Sequence, residues 1–247
     1  MRAVLSVESA TLTNVSEAVK TPTDPRSGPR PYDNSRRAAR VRATKSRVVQ
    51  VARALFVERG YAATSIEAIS IAADTPPASL YRVFSTKRGF LSAVLNVSFV
   101  GDDEPIALHD RASVQALRAE PDPRRFLEGF AHVAREVSDR SAPLQHVLRS
   151  AAPVDPEIAE LLATINAQRY EGQANVARGL ATRQALPDGI TERDANDIIY
   201  ALMSPEVRRI LTVERGWGAD RYEQWLARTL CATLLRPERE GEPAAGS

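Results

Sequence analysis

The sequence predicts an all-α protein, with a small three-helix domain near its amino terminus and a larger helical domain after it. Apolar residues recur at steps of three and four, the spacing that places them on one side of a helix. Beyond residue 100 no segment shows the apolar–polar alternation of a half-buried strand. Hydrophobic residues make up 43% of the 247 positions, which is enough for a sizeable core.

Composition divides the chain into four parts. Residues 1–40 are rich in Ser, Thr, Pro and Arg, and they lack the apolar content that offsets the entropy lost on ordering. We therefore predict a disordered basic arm at 1–40. A helix-turn-helix domain follows at 41–88, the larger helical domain at 89–236 and a disordered tail at 237–247.

Residues 43 to 73 predict the first two helices. The first should span about Ala43–Arg59, with Gly60 as a natural stop. A hydroxyl of Thr64 or Ser65 can cap the second, because it accepts from amides that have no partner in the first turn. The second helix should end near Ala73.

A tight turn and a third helix come next. Asp74 lies at the turn, and Asp tolerates a left-handed backbone better than most residues. Pro77 suits the first position of a helix, where its missing N–H costs no hydrogen bond. Leu80 and Phe84 should pack this helix onto the second one, which leaves a free side formed by Ala78, Ser79, Tyr81 and Arg82. This arrangement is typical of a helix that enters the major groove of DNA.

A longer series of residues matches one known family. It comprises Leu55-Phe56, Gly60-Tyr61, Thr64-Ser65, Ile69, Ala72-Ala73, Leu80 to Phe84 and Lys87. In order and spacing, this series resembles the DNA-binding domain of TetR-family transcriptional regulators. Two positions depart from the usual family pattern, since Asp74 stands where Gly is usual and Thr75 where Val is usual.

The resemblance implies which residues meet DNA. It implies phosphate contacts for Thr64, Ser65, Tyr81 and Lys87, and positions near the bases for Pro77, Ala78 and Ser79. From its place on the free side, Arg82 is predicted to contact bases or phosphates. The alternative for Tyr81 is a half-buried core aromatic with its hydroxyl in water, and for Lys87 a solvated helix start.

Positive charge is concentrated just before this motif. The formal net charge of the whole chain is only +2, so the protein is not a basic coat for nucleic acid. Between residues 26 and 47, however, Asp33 is the only acid among Arg26, Arg30, Arg36, Arg37, Arg40, Arg42, Lys45 and Arg47. The part from Arg36 to Arg42 is predicted to follow the DNA backbone or to enter a minor groove. The alternatives are a solvated linker or a wrongly chosen start codon.

The rest of the chain shows only helical patterns. After a fourth helix that opens at Lys87, we expect helices at about 106–118, 124–138, 142–151, from Pro156 onward, Glu192–Arg215 and Asp220–Leu235. The family resemblance implies that the last two pair with those of a second subunit, so we expect a homodimer. The alternative is that their apolar stripes only close the core of one chain.

The resemblance also implies a small-molecule effector in the middle helices. Candidate lining residues are Phe99, Leu108, Phe126, Phe130, His146, Leu161, Ile165 and Tyr170. Aromatic and aliphatic residues at this spacing are more often ordinary core, and that alternative stays open.

Other chemistry is not indicated. The sequence has no glycine-rich phosphate loop, no nucleophile elbow and no zinc-binding helix motif, and its histidines (His109, His132 and His146) are widely spaced. The single Cys231 excludes an intrachain disulfide. We therefore expect no enzyme activity, no cofactor and no metal, and a cytoplasmic protein without a membrane span.

These observations predict a sequence-specific DNA-binding transcriptional regulator. It would be a dimeric repressor that a small-molecule effector releases from a double-stranded operator. The alternative from another functional class is an architectural DNA-binding protein that has no effector. A large ratio of operator affinity to nonspecific affinity would distinguish the regulator from the architectural protein.

Overall fold

The computed structural model describes residues 34–101 and 111–237, and all regular structure in these two ranges is helical. The helices are α1 (Asn34–Arg59), α2 (Ile66–Ala72), α3 (Pro77–Phe84), α4 (Lys87–Val100), α5 (Ala112–Ala119), α6 (Pro123–Ala151), α7 (Pro156–Thr182), α8 (Glu192–Leu202), α9 (Pro205–Arg209) and α10 (Ala219–Leu234). A π-helical turn, Ile210–Glu214, continues α9. The prediction of an all-α fold is confirmed.

The first helix is longer than the sequence suggested. α1 begins at Asn34, nine residues before the predicted start at Ala43, so the last residues of the predicted disordered arm are helical. Alanine and arginine have high helix propensity, and they continue the helix without any apolar face to pack. The sequence reasoning required such a face and therefore placed the start too late. The remainder of the predicted arm, residues 1–33, lies outside the described residues, as do residues 238–247 of the predicted tail.

α6 is one helix where the sequence suggested two. Pro143 lies inside it, and proline has no N–H to donate to the carbonyl one turn earlier. The Ser141 hydroxyl donates to the Val137 carbonyl at 2.8 Å, and the Gln145 amide donates to Ser141 Oγ at 2.9 Å. Side-chain hydrogen bonds therefore accompany the helix through the proline, and the predicted break was wrong.

The predicted single helix from Glu192 to Arg215 is instead interrupted. α8 ends at Leu202, and Ser204 then caps α9 by accepting from the Val207 N–H at 3.2 Å. Pro205, as the first residue of α9, cannot continue a preceding helix, and this proline was overlooked. The start of α5, predicted at residue 106, falls in a range that is not described, and the described part begins at Ala112.

One core cluster joins the helix-turn-helix domain to the larger domain. α4 contributes fully buried side chains to it, including Phe90, Leu91 and Val94. The same cluster includes Leu144 and Leu148 from the end of α6, as well as side chains from the start of α7. Because one continuous core holds all these elements, α4 is the packed connection between the two domains.

A second core cluster fills the larger domain. Leu127 of α6, Leu180 of α7, Ile199 of α8 and Leu226 of α10 have no exposed surface. The apolar stripes of α8 and α10 are thus largely buried within one chain, and the expected pairing of these helices with a second subunit stays a prediction. Within the described ranges, no helix combines the length and apolar character that a bilayer crossing requires.

Candidate nucleic-acid interface

α2 is held at its start by Ser65. The Ser65 hydroxyl oxygen accepts from the Ala68 N–H at 3.0 Å, as expected of a cap. Ile66 and Ile69 face inward and are buried. Glu67 lies in the first turn, where the backbone N–H of Glu67 itself and then the Ser65 hydroxyl lower the pKa of its carboxyl group. The exposed Ser65 hydroxyl therefore stands at the positive end of a well-capped helix.

The turn between α2 and α3 is locked by a pair of reciprocal hydrogen bonds. The Ser70 hydroxyl donates to the Thr75 carbonyl at 2.7 Å, and the Thr75 N–H donates to the Ser70 carbonyl at 3.1 Å. Asp74 has φ of 44°, the left-handed conformation that the sequence predicted for it. Sequence reasoning missed Ser70, although a buried hydroxyl on the inner side of a short helix is a recognisable signal.

α3 presents one side to the core and the other to solvent. Leu80 and Phe84 are buried, and the Phe84 ring stacks on Phe90 with centroids 4.0 Å apart. Ala78 and Arg82 project on the opposite side and are exposed. The small Ala78 allows close approach to a groove, and the guanidinium of Arg82 can donate two hydrogen bonds to a guanine edge.

Tyr81 lies beside this exposed side of α3. Its ring is 45% exposed, and its hydroxyl donates to Glu67 Oε1 at 3.5 Å, the outer limit of a hydrogen bond. A phosphate oxygen could replace this weak partner at little cost. Ser79, on the other flank, is half-buried, and Pro77 at the start of the helix is exposed.

α4 begins directly against the end of α3. Thr86 caps it by accepting from the Gly89 N–H at 3.0 Å. A Cβ atom at Gly89 would lie 2.0 Å from the Phe84 carbonyl oxygen, so only glycine allows the two helices to approach this closely. Sequence reasoning did not identify Gly89, for which the signal is a glycine in the first turn of a helix.

The position of Lys87 at the start of α4 is well defined. Its Nζ donates to the Ala62 carbonyl at 3.2 Å and lies 4.3 Å from the centre of the Tyr61 ring. Burial lowers the pKa of Lys87, and the nearby Asp155 carboxylate opposes this effect. The amine is half-buried rather than freely solvated, so its side chain is already oriented at the amino end of α4.

Thr64 does not lie where the family resemblance placed it. Its side chain has no exposed surface, and its hydroxyl donates to the carbonyls of Gly60 at 2.8 Å and Leu55 at 3.1 Å. These carbonyls belong to the end of α1, so the hydroxyl ties α1 to the start of α2. A side chain buried in this way cannot contact a phosphate, and the predicted contact is withdrawn.

Basic side chains extend along the first turns of α1. Arg40, Arg42, Lys45 and Arg47 are all exposed, and the first buried residue of the helix is Val48. No acidic residue occurs in α1 before Glu58. The part of the predicted positive charge from Arg40 to Arg47 is therefore carried by exposed side chains of α1, whereas Arg26 and Arg30 lie outside the described residues.

A family model described as "Bacterial regulatory proteins, tetR family" matches residues 48–94. The matched segment runs from the first buried residue of α1 to the middle of α4. It includes the locked turn and the exposed side of α3. This chain carries a TetR-family DNA-binding domain.

Solved structures extend the similarity from this TetR-family domain to the whole fold. NalD from Pseudomonas aeruginosa, the secondary repressor of the MexAB-OprM multidrug efflux pump, is 22% identical with a TM-score of 0.59, over 78% of this chain and 97% of NalD. A putative transcriptional regulator from Saccharomonospora viridis, in complex with choline, is 18% identical with a TM-score of 0.59, over 79% and 98% of the two chains. The SmeT–triclosan complex is 16% identical with a TM-score of 0.58, over 81% and 98%.

At these identities the structural neighbours show the fold alone. A search of curated protein sequences found no match. The family model describes bacterial regulatory proteins, so residues 48–94 are the DNA-binding domain of a regulator rather than part of an enzyme.

The structure does not bring the predicted effector-lining residues together. Phe99, Leu161 and Ile165 pack with the cluster that includes the TetR-family domain, whereas Phe126 and Phe130 belong to the second cluster. The His146 side chain is exposed, and Leu108 lies outside the described residues. The Tyr170 hydroxyl donates to Asp197 at 2.7 Å between α7 and α8. For the described residues, ordinary core packing therefore explains most of this set.

Charged side chains between α6 and α10 form structural ion pairs. Arg135 Nε donates to Glu223 Oε2 at 2.7 Å, and its Nη1 donates to Asp139 at 3.1 Å. His132 also contacts Glu223, at 3.1 Å, but it is exposed. Among the described residues, no group of three or more His, Cys, Asp or Glu side chains could hold a metal ion.

Proposed function

We propose that this protein is a homodimeric transcriptional repressor that reads a palindromic operator through α3 and leaves it when a small molecule binds. A repressor seated on its operator can block polymerase simply by occupying the site. Such a protein would act where the DNA lies, which in a bacterium is the cytoplasm.

The exposed side of α3 carries the proposal. Leu80 and Phe84 anchor the helix, so Ala78 and Arg82 project from a rigid support rather than from a mobile loop. Pro77 and Ser79 lie at the amino end, the part of a recognition helix that meets base edges first. We assign base contacts to Arg82 and close approach to Pro77, Ala78 and Ser79.

Phosphate contacts would fix the orientation of α3. Ser65 lies at the start of α2, Tyr81 on the flank of α3 and Lys87 at the start of α4. Each of these residues is at least partly exposed. Contacts of this kind position a protein on the duplex without reading sequence. The exposed basic side chains at the start of α1 would add phosphate contacts beyond this set.

Dimerisation follows from the need to read two half-sites. Helix-turn-helix dimers bind half-sites about 34–36 Å apart, so a single chain of this size would read only one of them. The stripes of α8 and α10 close the core of one chain, but Ile210 and Val213 on the adjoining π-helical turn are 42% and 70% exposed. Sedimentation at micromolar concentration should give twice the 27.0 kDa of one chain, and a mass of one chain would contradict the dimer.

An effector is proposed from the common architecture. Structural neighbours were solved in complex with choline and with triclosan, and these two complexes support an effector site in this fold. An effector can change the free energy of DNA binding only by the difference between its own binding free energies to the two conformations of the dimer. This difference is often about 1–3 kcal/mol. The identity of the effector does not follow from these neighbours.

Selection of random duplex DNA tests the proposal against the architectural alternative. A regulator should enrich a palindrome that it binds roughly a thousandfold more tightly than scrambled DNA. An architectural protein should enrich no sequence, and its affinity for every duplex should fall equally as salt is raised. The second result would remove the repressor assignment.

A further inference from the structure

A cleft lies where the DNA-binding domain meets the larger domain. It has a volume of about 190 Å³, and its walls come from α1, α4 and α6. The lining residues are Val49, Gln50, Arg53, Val94, Val97, Ser98, Gly101 and Arg140. None of the residues predicted from the sequence to line an effector site is among them.

Two guanidinium groups, those of Arg53 and Arg140, line this cleft. Among the described residues, neither Arg53 nor Arg140 forms an ion pair, and no acidic side chain lines the cleft. In contrast, Arg135 and Arg208 of the same fold are paired with carboxylates. A pair of unneutralised cations in a concave site attracts an anion.

The hydrogen bonds that these two arginines form are weak. Arg53 Nη2 donates to the Arg140 carbonyl at 3.4 Å, and Arg140 donates through Nε to the Ser98 carbonyl and through Nη2 to the Phe99 carbonyl, also at 3.4 Å. Ordinary N–H···O bonds are about 2.7–3.2 Å long, and a guanidinium carries five N–H donors. Toward the described residues, both groups therefore leave most of their donors unused.

The shape of the cleft limits the size of that acceptor. Its volume of about 190 Å³ is below the 300–1,000 Å³ of sites for drug-sized molecules. Val49, Val94 and Val97 contribute apolar surface to the lining of the cleft. A planar carboxylate matches the fork of a guanidinium, and a short aliphatic body matches the valines.

We propose that this cleft binds a small aliphatic carboxylate through Arg53 and Arg140. Bound there, the carboxylate would replace the weak bonds from Arg140 to the last carbonyls of α4. Arg53 belongs to the DNA-binding domain and Arg140 to the larger domain, so occupancy changes how α4 is tied to α6. Through α4, an occupied cleft would alter the affinity of the protein for its operator. This effect on DNA binding rests on the proposed function, whereas the binding site itself does not.

Equilibrium dialysis of labelled butyrate against the purified full-length protein, without DNA and at constant chloride, tests the site. We expect one saturable site per chain in the millimolar range, with no competition from n-butanol, which has a similar body but no charge. Arg53→Gln and Arg140→Gln should each weaken butyrate binding about tenfold or more. Arg228→Gln, at an exposed arginine of α10, is the matched control and should bind butyrate as the unmodified chain does.

The outcomes separate the site from its regulatory role. Absence of saturable binding, competition by n-butanol, or equal binding by Arg53→Gln and the control would each overturn the proposed site. Circular dichroism is used to check that each variant is folded. If Arg140→Gln does not fold, butyrate binding by Arg53→Gln alone decides whether the site exists. Operator binding is then measured with and without butyrate, so a failure of regulation is distinguishable from a failure of the site.

Discussion

Replacing Thr64 with valine tests whether this residue supports the fold or contacts DNA. Thr64→Val keeps the shape of the side chain and removes only the hydroxyl, which donates to the Gly60 and Leu55 carbonyls at 2.8 and 3.1 Å. If the hydroxyl has the structural role seen here, the substitution should lower stability. If the hydroxyl contacts a phosphate, the substitution should instead lower DNA affinity.

The two roles differ in expected magnitude. Losing a buried hydrogen bond and leaving its carbonyls without that donor costs about 1–2 kcal/mol. For a chain of this length, this loss corresponds to a fall in melting temperature of roughly 2–8 °C. A lost hydrogen bond to a charged phosphate would instead weaken DNA binding about tenfold or more.

Calorimetry and fluorescence anisotropy measure both quantities on the same preparations. At a temperature where the variant is fully folded, we expect its affinity for the selected operator to lie within about twofold of the unmodified protein. Thr64→Ser, which retains a hydroxyl, should restore most of the lost stability. A large loss of affinity with unchanged melting temperature would refute the structural role of Thr64.

Three further predictions concern other residues. Asp74→Val should lower stability by about 1–2 kcal/mol, because a β-branched residue is strained at φ of 44°, whereas Asp74→Gly should not; equal melting temperatures would contradict this. Lys87→Met should weaken binding to every duplex. The slope of log affinity against log salt should become shallower by about the amount of one phosphate contact, and an unchanged slope would count against that contact. Burial raises the pKa of Tyr222 from 10.0 to about 12, so the folded state holds the phenol proton more tightly than the unfolded chain. The resulting stabilisation is present below pH 10, and about 2–3 kcal/mol of it is lost as the pH rises towards 12. Tyr222→Phe should not show this loss. If the free energy of unfolding falls equally with pH in the variant and in the unmodified protein, the prediction is refuted.

The helix-turn-helix could be predicted from sequence because its signals are local. The Ser65 cap, the left-handed Asp74 and the opening Pro77 each depend on neighbouring backbone groups, and all three occur in the structure as expected. Leu80 and Phe84 are buried because they lie one helical turn apart, on the same side of α3. Local chemistry therefore determines this part of the fold.

The misplaced elements depend on tertiary contacts or on helix propensity alone. Thr64 was misassigned because a hydroxyl at the start of a helix looks the same in sequence whether it faces solvent or the end of α1. The break predicted between residues 138 and 142 does not occur, because the Ser141 and Gln145 side-chain hydrogen bonds along this stretch of α6 are visible only in three dimensions. The predicted effector residues divide between two clusters because periodicity identifies buried faces without showing which of them adjoin.

The cleft between α1, α4 and α6 could not be predicted for a related reason. Arg53 and Arg140 are separated by 86 other residues, and neither belongs to a motif. Only packing brings their guanidinium groups to one concavity. That no carboxylate of the described residues lines the cleft is likewise visible only in the folded chain.

Arg82→Ala tests whether α3 reads DNA sequence. Affinity for the selected operator and for its scramble is measured at one salt concentration, with Arg228→Ala as the control at an exposed arginine outside the interface. We predict that Arg82→Ala lowers operator affinity by about 1–3 kcal/mol and reduces the ratio of operator to scramble affinity, while the control changes neither. An equal loss on both duplexes, with the ratio unchanged, would contradict base reading by α3.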